Sequence, residues 1–308
     1  MAPPQSRPLE GALWMVLSCL CFASMSGIIR HLSTVAEPSI PPFEIVFFRN
    51  WVSLVLILPW VFRHGGMPVR TTRPKLHLLR GVIGLAAMTG WFYTISIMPL
   101  APAVALNFTV PLLAMIVAIL LLGERPGLHR WGATIAGFVG VIVILQPGAI
   151  EIGLGPILAL SSALGFALSM NFIKMLSRTD SPSTIVFYQV LIMTPLSLGP
   201  ALAVWQTPGW SEFAWLVALG ALATAAHLSM ARSLSVAEAS AVASLDFVRL
   251  PFVAVIGYVV FAEVPEAMTW IGGAIIIASS VYISHREAIK GRATVLAARK
   301  NDPLNPSG

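Results

Sequence analysis

Residues 42–50 read Pro-Phe-Glu-Ile-Val-Phe-Phe-Arg-Asn and residues 182–190 read Pro-Ser-Thr-Ile-Val-Phe-Tyr-Gln-Val, so the chain repeats itself about 140 residues later. Other segments return at nearly the same offset. These are Asn107-Phe108 with Asp246-Phe247, Glu124 with Glu263, and Trp131 with Trp270. An apolar chain with an internal duplication is typical of secondary transporters built from two structural repeats. The repeat therefore predicts the fold class.

The composition agrees with a membrane protein. Hydrophobic residues make up 57% of the chain and charged residues only 10%, whereas soluble domains average about 25% charged. Apolar stretches long enough to cross a bilayer as helices recur along the chain. They are 12–32, 43–62, 77–97, 102–122, 130–146, 154–174, 183–205, 211–231, 238–261 and 268–284. We therefore predict an all-α integral membrane protein with ten transmembrane helices, five in each repeat.

The placement of positive charge predicts the orientation. If both termini share one side, the loops there, taken with the ends of the adjacent spans, are 63–80, 123–130, 174–181 and 232–237. These loops, Arg7 and the tail together hold 16 of the 19 Lys and Arg residues, among them Arg80. The positive-inside rule makes that side cytoplasmic. Because five helices is an odd number, the second repeat enters the membrane upside down, which gives two inverted repeats. Glu124 is then expected at the cytoplasmic surface and Glu263 at the outer surface.

These predictions divide the chain into four segments. Residues 1–11 form a cytoplasmic N-terminal segment, 12–146 the first repeat and 154–284 the second repeat. The basic, polar residues 285–308 are expected to form a disordered cytoplasmic tail, since they hold too little apolar surface to fold alone.

Charged residues inside the spans are the first candidates for function, because each costs about 2.5–3.5 kcal/mol to insert at a helix centre. Arg49 lies in the second span, and Asp246 and Arg249 lie in the ninth. The spacing of three residues places Asp246 and Arg249 on one helix face, where they can neutralise each other. Two interpretations are open for each: contact with a substrate or coupling ion in a wet cavity, or an anchor between helices.

Two further titratable residues extend the candidate pathway. Glu44 begins the second span at the outer mouth, where it could act as a gate, attract cations, or be a solvated carboxylate at a helix start. His227, in the eighth span, could relay protons near neutral pH. The alternative for His227 is a hydrogen-bonded histidine that packs between helices.

The two repeats differ at their most polar positions. Asn107 and Gln189 are the uncharged repeat partners of Asp246 and Arg49. The halves are therefore not chemically equivalent, and we expect that function uses the difference.

Aromatic residues and prolines complete the candidate set. Trp91 and Tyr93 could stack on a flat or cationic substrate, or they could belong to the membrane-interface belt or the core. Pro111 and Pro251 each remove a backbone hydrogen bond inside a span. Such helix breaks often line a transporter cavity.

Absent motifs exclude several function classes. The chain holds no ATP-binding GxxxxGK[ST], no HExxH or cysteine–histidine cluster and no GxSxG. We therefore expect no enzyme, no catalytic residue, no metal and no cofactor, and the loop charges do not indicate nucleic acid. A membrane-embedded enzyme and a non-transporting subunit are the rival classes.

The expected partners are a small-molecule substrate and the lipid bilayer, with protons as a candidate coupling ion. The small residues Gly132, Ala136 and Gly140 suit a neighbouring helix or a second protomer, so a homodimer is a candidate assembly.

Three motifs carry a family resemblance: Phe47-Phe48-Arg49-Asn50, Leu121-Leu122-Gly123-Glu124-Arg125 and Arg130-Trp131-Gly132. With them, residues 11–285 resemble the EamA-type members of the drug/metabolite transporter superfamily. Residues 44–49, 72–74 and 77–81 look like those of S-adenosylmethionine uptake transporters. The resemblance implies a bacterial inner-membrane protein that moves an S-adenosylmethionine-like, or other zwitterionic or aromatic, metabolite by alternating access. Alternatives of the same fold are an exporter of amino acids or drugs and a riboflavin importer.

Overall fold

A computed structural model describes residues 8–63, 71–123, 127–146, 153–180, 182–236 and 244–300, and its regular structure in these ranges is helical. Eleven α-helices and one 3₁₀-helix follow one another along the described ranges. The α-helices are α1 Pro8–Thr34, α2 Pro42–Arg63, α3 Pro74–Ile97, α4 Leu100–Asn107, α5 Val110–Leu122, α6 Leu128–Leu145, α7 Leu154–Leu176, α8 Pro182–Ala203, α9 Trp210–Val236, α10 Arg249–Phe261 and α11 Ala267–Lys300. The 3₁₀-helix, Ser244–Val248, directly precedes α10.

Several of these helices have the length and composition of membrane spans. Among the described residues, six segments qualify, with α4 and α5 counted together, and α6 and α11 hold shorter apolar stretches. Large apolar side chains also point outward, among them Leu120 and Val259 at 77% and 72% exposure. Water would penalise so much apolar surface, and lipid would cover it. The prediction of an all-α, multi-pass membrane protein is confirmed, while ten spans, inverted repeats and cytoplasmic termini stay predictions.

Two helix contacts, which we call the α2–α9 seam and the α3–α8 seam, use glycine in the same way. A Cβ added at Gly220 in α9 would lie 2.5 Å from Cβ of Val52 in α2. One added at Gly81 in α3 would lie 2.5 Å from Cγ2 of Ile192 in α8. The absence of a side chain lets each helix pair approach closely. Val52 and Ile192 occupy equivalent positions of the two repeats, as do Gly81 and Gly220.

A third glycine contact joins α6 to α11. A Cβ at Gly140 would lie 2.7 Å from the carbonyl oxygen of Gly272, and one at Gly272 would lie 2.5 Å from that of Gly140. Gly132, by contrast, faces open space. Of the predicted small-residue row, Gly140 therefore packs against a neighbouring helix of the same chain.

The bundle has two ends, which we define by α1. At the near end, where α1 begins, the Ser233 hydroxyl at the close of α9 donates to the carbonyl of Gly11 at 2.6 Å. At the far end, where α1 finishes, the backbone N–H of Ile40 donates to the carbonyl of Leu32 at 2.8 Å. This second bond brings the chain back toward the start of α2.

Helix breaks appear where the sequence places prolines. Pro111 is the second residue of α5, and α4 ends at Asn107. Pro251 is the third residue of α10 and follows the 3₁₀-helix. Proline has no N–H, so Pro111 cannot bond the carbonyl of Asn107, and Pro251 cannot bond that of Phe247. The predicted fourth span is accordingly two helices, and the described part of the ninth begins as a 3₁₀-helix.

The terminal segments differ from the prediction. Helix α11 continues to Lys300, whereas disorder was expected from residue 285. Residues 286–300 hold Ala, Glu, Lys, Arg and Leu, which favour helix strongly enough to extend one already begun in the membrane. Helix α1 begins at Pro8, inside the predicted N-terminal segment. Residues 1–7 and 301–308 lie outside the described part.

Candidate functional site

Arg49 is buried in the α2–α9 seam and contacts His227. Its Nη1 donates to Oδ1 of Asn50 at 2.9 Å, and its Nη2 lies 3.1 Å from Nε2 of His227. A guanidinium only donates, so Nε2 must be the acceptor and the ring proton is assigned to Nδ1. No carboxylate of the described residues forms an ion pair with Arg49. Two residues that the sequence singled out separately are thus neighbours.

Asp246 and Arg249 form the ion pair that their spacing allows. Nη2 of Arg249 lies 3.7 Å from Oδ2 of Asp246. The guanidinium also lies over two rings, 5.7 Å from the centroid of Phe22 and 5.1 Å from that of Phe108, within cation–π range. Phe22 packs edge-on against the His227 ring at 5.3 Å. We call Asp246, Arg249, Phe22 and Phe108, together with Arg49 and His227, the central cluster.

Several buried N–H groups at or beside the cluster have no partner. Among the described residues, Nδ2 of Asn50, Nδ2 of Asn107 and Nε of Arg249 make no hydrogen bond. A buried donor without a partner costs about 1–3 kcal/mol. All three groups are donors, so whatever satisfies them must offer acceptor atoms. Water or a bound substrate can do so.

Both helix breaks open at the central cluster. Phe108 lies between α4 and α5. Its ring packs at 4.9 Å on that of Phe247, in the 3₁₀-helix that precedes α10. The starts of α5 and α10 carry the positive ends of their helix dipoles. Broken helices whose ends meet inside the bundle are typical of transporter substrate sites.

Gln189 lies in the α3–α8 seam and belongs to a different contact. Its Oε1 accepts a hydrogen bond from Nη2 of Arg80 at 2.6 Å, and Nη1 of Arg80 donates to the carbonyl of Ile185 at 3.2 Å. The assignment of Arg80 to the exposed loop 63–80 is wrong. Helix α3 begins at Pro74 and buries Arg80 against α8.

A polar network lies at the near end of the bundle, beside the α3–α8 seam. Oδ2 of Asp180, in the turn after α7, accepts from the hydroxyl of Thr71 at 2.6 Å and lies 2.7 Å from Nε2 of His77. Burial alone would raise the pKa of Asp180, but the hydrogen bonds from Thr71 and His77 outweigh it and hold that pKa below its usual value. The His77 ring stacks on Tyr188 at 4.6 Å.

An ion pair ties several elements together at the far end. Nη2 of Arg30 lies 3.2 Å from Oε1 of Glu263. Nη1 of Arg30 donates to the carbonyl of Ser96 at 2.8 Å, and Oε2 of Glu263 accepts from the N–H of Leu100 at 2.7 Å. The end of α1 is thereby joined to α3, to α4 and to the residues that follow α10.

Glu44 is also at the far end, and it is fully buried. Its Oε2 accepts from the backbone N–H of Gln206 at 3.0 Å, and its Oε1 has no hydrogen-bond partner among the described residues. The interpretation of Glu44 as a solvated carboxylate is therefore wrong. The side chain holds the start of α2 against the connection between α8 and α9.

Trp91 and Tyr93 pack against different parts of the bundle. Tyr93 packs edge-on against Phe43 at 5.3 Å and lines an apolar cavity of about 530 Å³ formed by α2, α3, α7 and α8. Trp91 packs against the hydrophobic core. A second cavity, of about 270 Å³, lies at the far end and includes Pro102 and Glu263.

Sequence reasoning missed the two rings and two arginines that complete these contacts. Phe108 had a signal, since the pair Asn107-Phe108 repeats as Asp246-Phe247. Phe22, Arg30 and Arg80 find their partners on other helices, at separations that sequence periodicity does not reveal. No group of three or more potential metal ligands occurs in the part of the chain that the structure describes.

Comparison with known proteins gives one family and several relatives. Residues 9–146 and 153–285 each match the EamA-like transporter family. The riboflavin transporter of Vibrio cholerae is 34% identical over 290 residues, which cover 93% of this chain and 96% of that protein. The S-adenosylmethionine uptake transporter of Rickettsia felis is 30% identical over 279 residues, 91% of this chain and 94% of its own. A solved crystal structure shares the fold, with a TM-score of 0.60, 16% identity, and coverage of 96% of this chain and 99% of its own.

These matches confirm several predictions. The family model matches once in each half of the chain. The predicted relationship to drug/metabolite transporters is confirmed, as is the prediction of a transporter and not an enzyme. A small-molecule substrate and embedding in the membrane follow from the same matches.

Proposed function

Because this chain belongs to the EamA-like transporter family, we propose that it is a secondary transporter that moves a small organic metabolite across the bacterial inner membrane by alternating access. The central cluster carries the proposal. It places Arg49, Asp246 and Arg249 together at two helix breaks, with buried donors that have no partner among the described residues. Charges and unsatisfied donors inside a membrane bundle are costly, and a polar substrate would compensate them.

Alternating access requires two arrangements of one bundle, and an inverted repeat supplies them. The equivalent glycine contacts of the α2–α9 and α3–α8 seams support a repeat of five spans in each half. With the near end cytoplasmic, the Arg30–Glu263 ion pair closes the outer end and the Asp180 network lies at the inner end. Rocking of the two seams would expose the central cluster to each side in turn.

The substrate is proposed to be zwitterionic or aromatic. S-adenosylmethionine and riboflavin are two candidates that the relatives' names supply. An exporter of amino acids or drugs is the alternative with the same fold. Protons are the proposed coupling ion, and a homodimer is the proposed assembly.

Counterflow into proteoliposomes tests the proposal without assuming a driving force. The purified full-length chain would be reconstituted with unlabelled riboflavin, S-adenosylmethionine or tryptophan inside, and the radiolabelled compound added outside. We expect saturable counterflow of one compound, loss of it in Asp246→Asn, and normal flux in the matched control Glu266→Gln, which changes an exposed carboxylate. Repeating the uptake with an imposed pH gradient shows whether protons drive transport.

Two outcomes would contradict the proposal. Saturable binding of a compound without counterflow would indicate a non-transporting subunit or receptor. Wild-type flux in Asp246→Asn would remove the central cluster from the pathway.

A further inference from the structure

We infer that the central cluster accepts a neutral or anionic metabolite rich in hydrogen-bond acceptors and discriminates against compounds with a net positive charge. This inference rests on the proposed function, because it takes the central cluster to be the substrate site. It names the chemical class of the substrate, and it separates the two candidates above.

The charge balance of the cluster is the first argument. Its described residues include two guanidinium groups and one carboxylate, and Asp246 pairs with Arg249 at 3.7 Å. Among the described residues, the hydrogen-bond partners of Arg49 are Asn50 and neutral His227. The starts of α5 and α10 add positive potential. A charge buried away from water acts strongly on its neighbours, so the described residues of the cluster together repel cations.

The unpartnered groups are the second argument. Nδ2 of Asn50, Nδ2 of Asn107 and Nε of Arg249 can only donate. Carbonyl oxygens, ring nitrogens or a carboxylate on the substrate would satisfy them. An ammonium group would not, since it too only donates. The one carboxylate of the cluster is already shared between Arg249 and the Cys19 thiol, 3.9 Å from its Oδ1.

The aromatic rings supply the third argument. A substrate with a sulfonium or ammonium group would normally be held over aromatic faces. In the central cluster the guanidinium of Arg249 already lies over Phe22 and Phe108. These two rings therefore already hold a cation of the protein, which would repel a second cation placed beside them.

A pair of related compounds isolates the effect of charge. S-adenosylhomocysteine lacks only the sulfonium methyl of S-adenosylmethionine, so the two differ by one positive charge. Riboflavin is neutral and carries carbonyl and ring-nitrogen acceptors. We expect riboflavin and S-adenosylhomocysteine to bind, and S-adenosylmethionine to bind at least about tenfold more weakly than S-adenosylhomocysteine, since like charges in contact are strongly disfavoured.

The experiment is equilibrium binding of each compound to the purified full-length chain, measured directly by calorimetry. Arg49→Gln should bring the two adenosyl compounds to within about threefold of each other, because it removes the unpaired charge. Arg49→Lys should keep the discrimination. Asn107→Leu removes an unpartnered donor. It should therefore lower the affinity for both adenosyl compounds alike, by about tenfold for one hydrogen bond to a substrate. Glu266→Gln should bind all three as the wild type does, and size-exclusion profiles check that each variant is folded.

Three results would overturn the inference: S-adenosylmethionine bound as tightly as S-adenosylhomocysteine, discrimination unchanged in Arg49→Gln, or no binding of either riboflavin or S-adenosylhomocysteine. Its failure is separable from that of the proposed function. Saturable counterflow of S-adenosylmethionine in preference to the neutral compounds would support a transporter and overturn the inference. Selective binding of the neutral compounds without counterflow would support the inference and contradict the proposed function.

Discussion

The α2–α9 and α3–α8 seams are built alike and hold different chemistry. In each, a glycine at a repeat-equivalent position allows close packing, against Val52 in one and Ile192 in the other. Each also buries an arginine. Arg49 of the first seam contacts His227 and belongs to the central cluster, whereas Arg80 of the second donates to two groups on α8 and lies toward the near end.

The repeat partner of Arg49 explains the difference. Gln189 occupies the position equivalent to Arg49, and it is the acceptor for Arg80. The two repeats therefore share the backbone contact and differ in the side chain, which is a charged group at the centre in one and a neutral group that anchors two helices in the other. We propose that the α2–α9 seam serves the substrate and the α3–α8 seam serves the scaffold.

The largest expected effect comes from Arg49→Gln. It removes the charge of Arg49, together with its two hydrogen bonds, each worth about 1.5–3 kcal/mol because the donor is charged. We expect the counterflow rate per folded molecule to fall at least tenfold, since about 1.4 kcal/mol corresponds to a factor of ten. Proteoliposome counterflow, normalised to monodisperse protein, measures this change. Flux within twofold of the wild type would show that Arg49 is only an anchor.

Arg80→Gln should act on stability instead. The change removes the hydrogen bonds to Ile185 and Gln189, at a cost of about 1.5–3 kcal/mol for a charged donor. The unfolding temperature in detergent should fall by several degrees, while the counterflow rate per folded molecule stays within about twofold. A loss of flux without a loss of stability would place Arg80 in the pathway.

The sequence predicted the class of this fold because its signals are local. Apolar runs mark helices, and the spacing of Asp246 and Arg249 already places them on one face. Arg80 shows that local sequence signals do not predict a tertiary contact. Polar residues precede it, so it was counted with a loop, although the partner that draws it into the bundle lies on α8, 109 residues away.

The sequence predicts some residues of the candidate site and leaves others unassigned. The cost of embedded charge pointed to Arg49 and Arg249, and both lie in the central cluster. Phe22 and Glu44 could not be assigned from sequence, because a single ring or a carboxylate at a helix start fits several roles. Their roles depend on His227 and Gln206, which reach them only through tertiary packing.

Substituting the glycine in each seam tests whether the α2–α9 and α3–α8 helix pairs are both closely packed. Gly220→Ala brings a methyl group against Cβ of Val52, and Gly81→Ala against Cγ2 of Ile192. Overpacking typically costs about 1–3 kcal/mol, and Gly220→Ala should cost more because Cβ of Val52 is fixed to the backbone. Thermal unfolding of both variants checks this order, with Gly132→Ala as the control because it faces open space. Equal stability of Gly220→Ala and the wild type would contradict close packing of the first seam.

The smallest effect concerns pH at the near end of the second seam. The pKa of Asp180 is lower in the folded state than its ordinary value of 3.8. Its contribution to stability is therefore complete above pH 3.8 and is lost as the pH falls through the lower, folded pKa. Asp180→Asn keeps an acceptor oxygen and should cost about 1 kcal/mol near pH 7, with the difference from the wild type shrinking in acid. Unfolding temperatures at several pH values measure it, and a difference that grows in acid would reverse the sign of the argument.

The most direct test of the central claim places Arg49→Gln and Arg80→Gln in matched proteoliposomes and compares their counterflow of radiolabelled riboflavin per folded molecule. If the α2–α9 seam serves the substrate and the α3–α8 seam the scaffold, Arg80→Gln will transport at least five times faster than Arg49→Gln, although both lose stability. Equal rates in the two variants, or a slower rate in Arg80→Gln, would contradict that division.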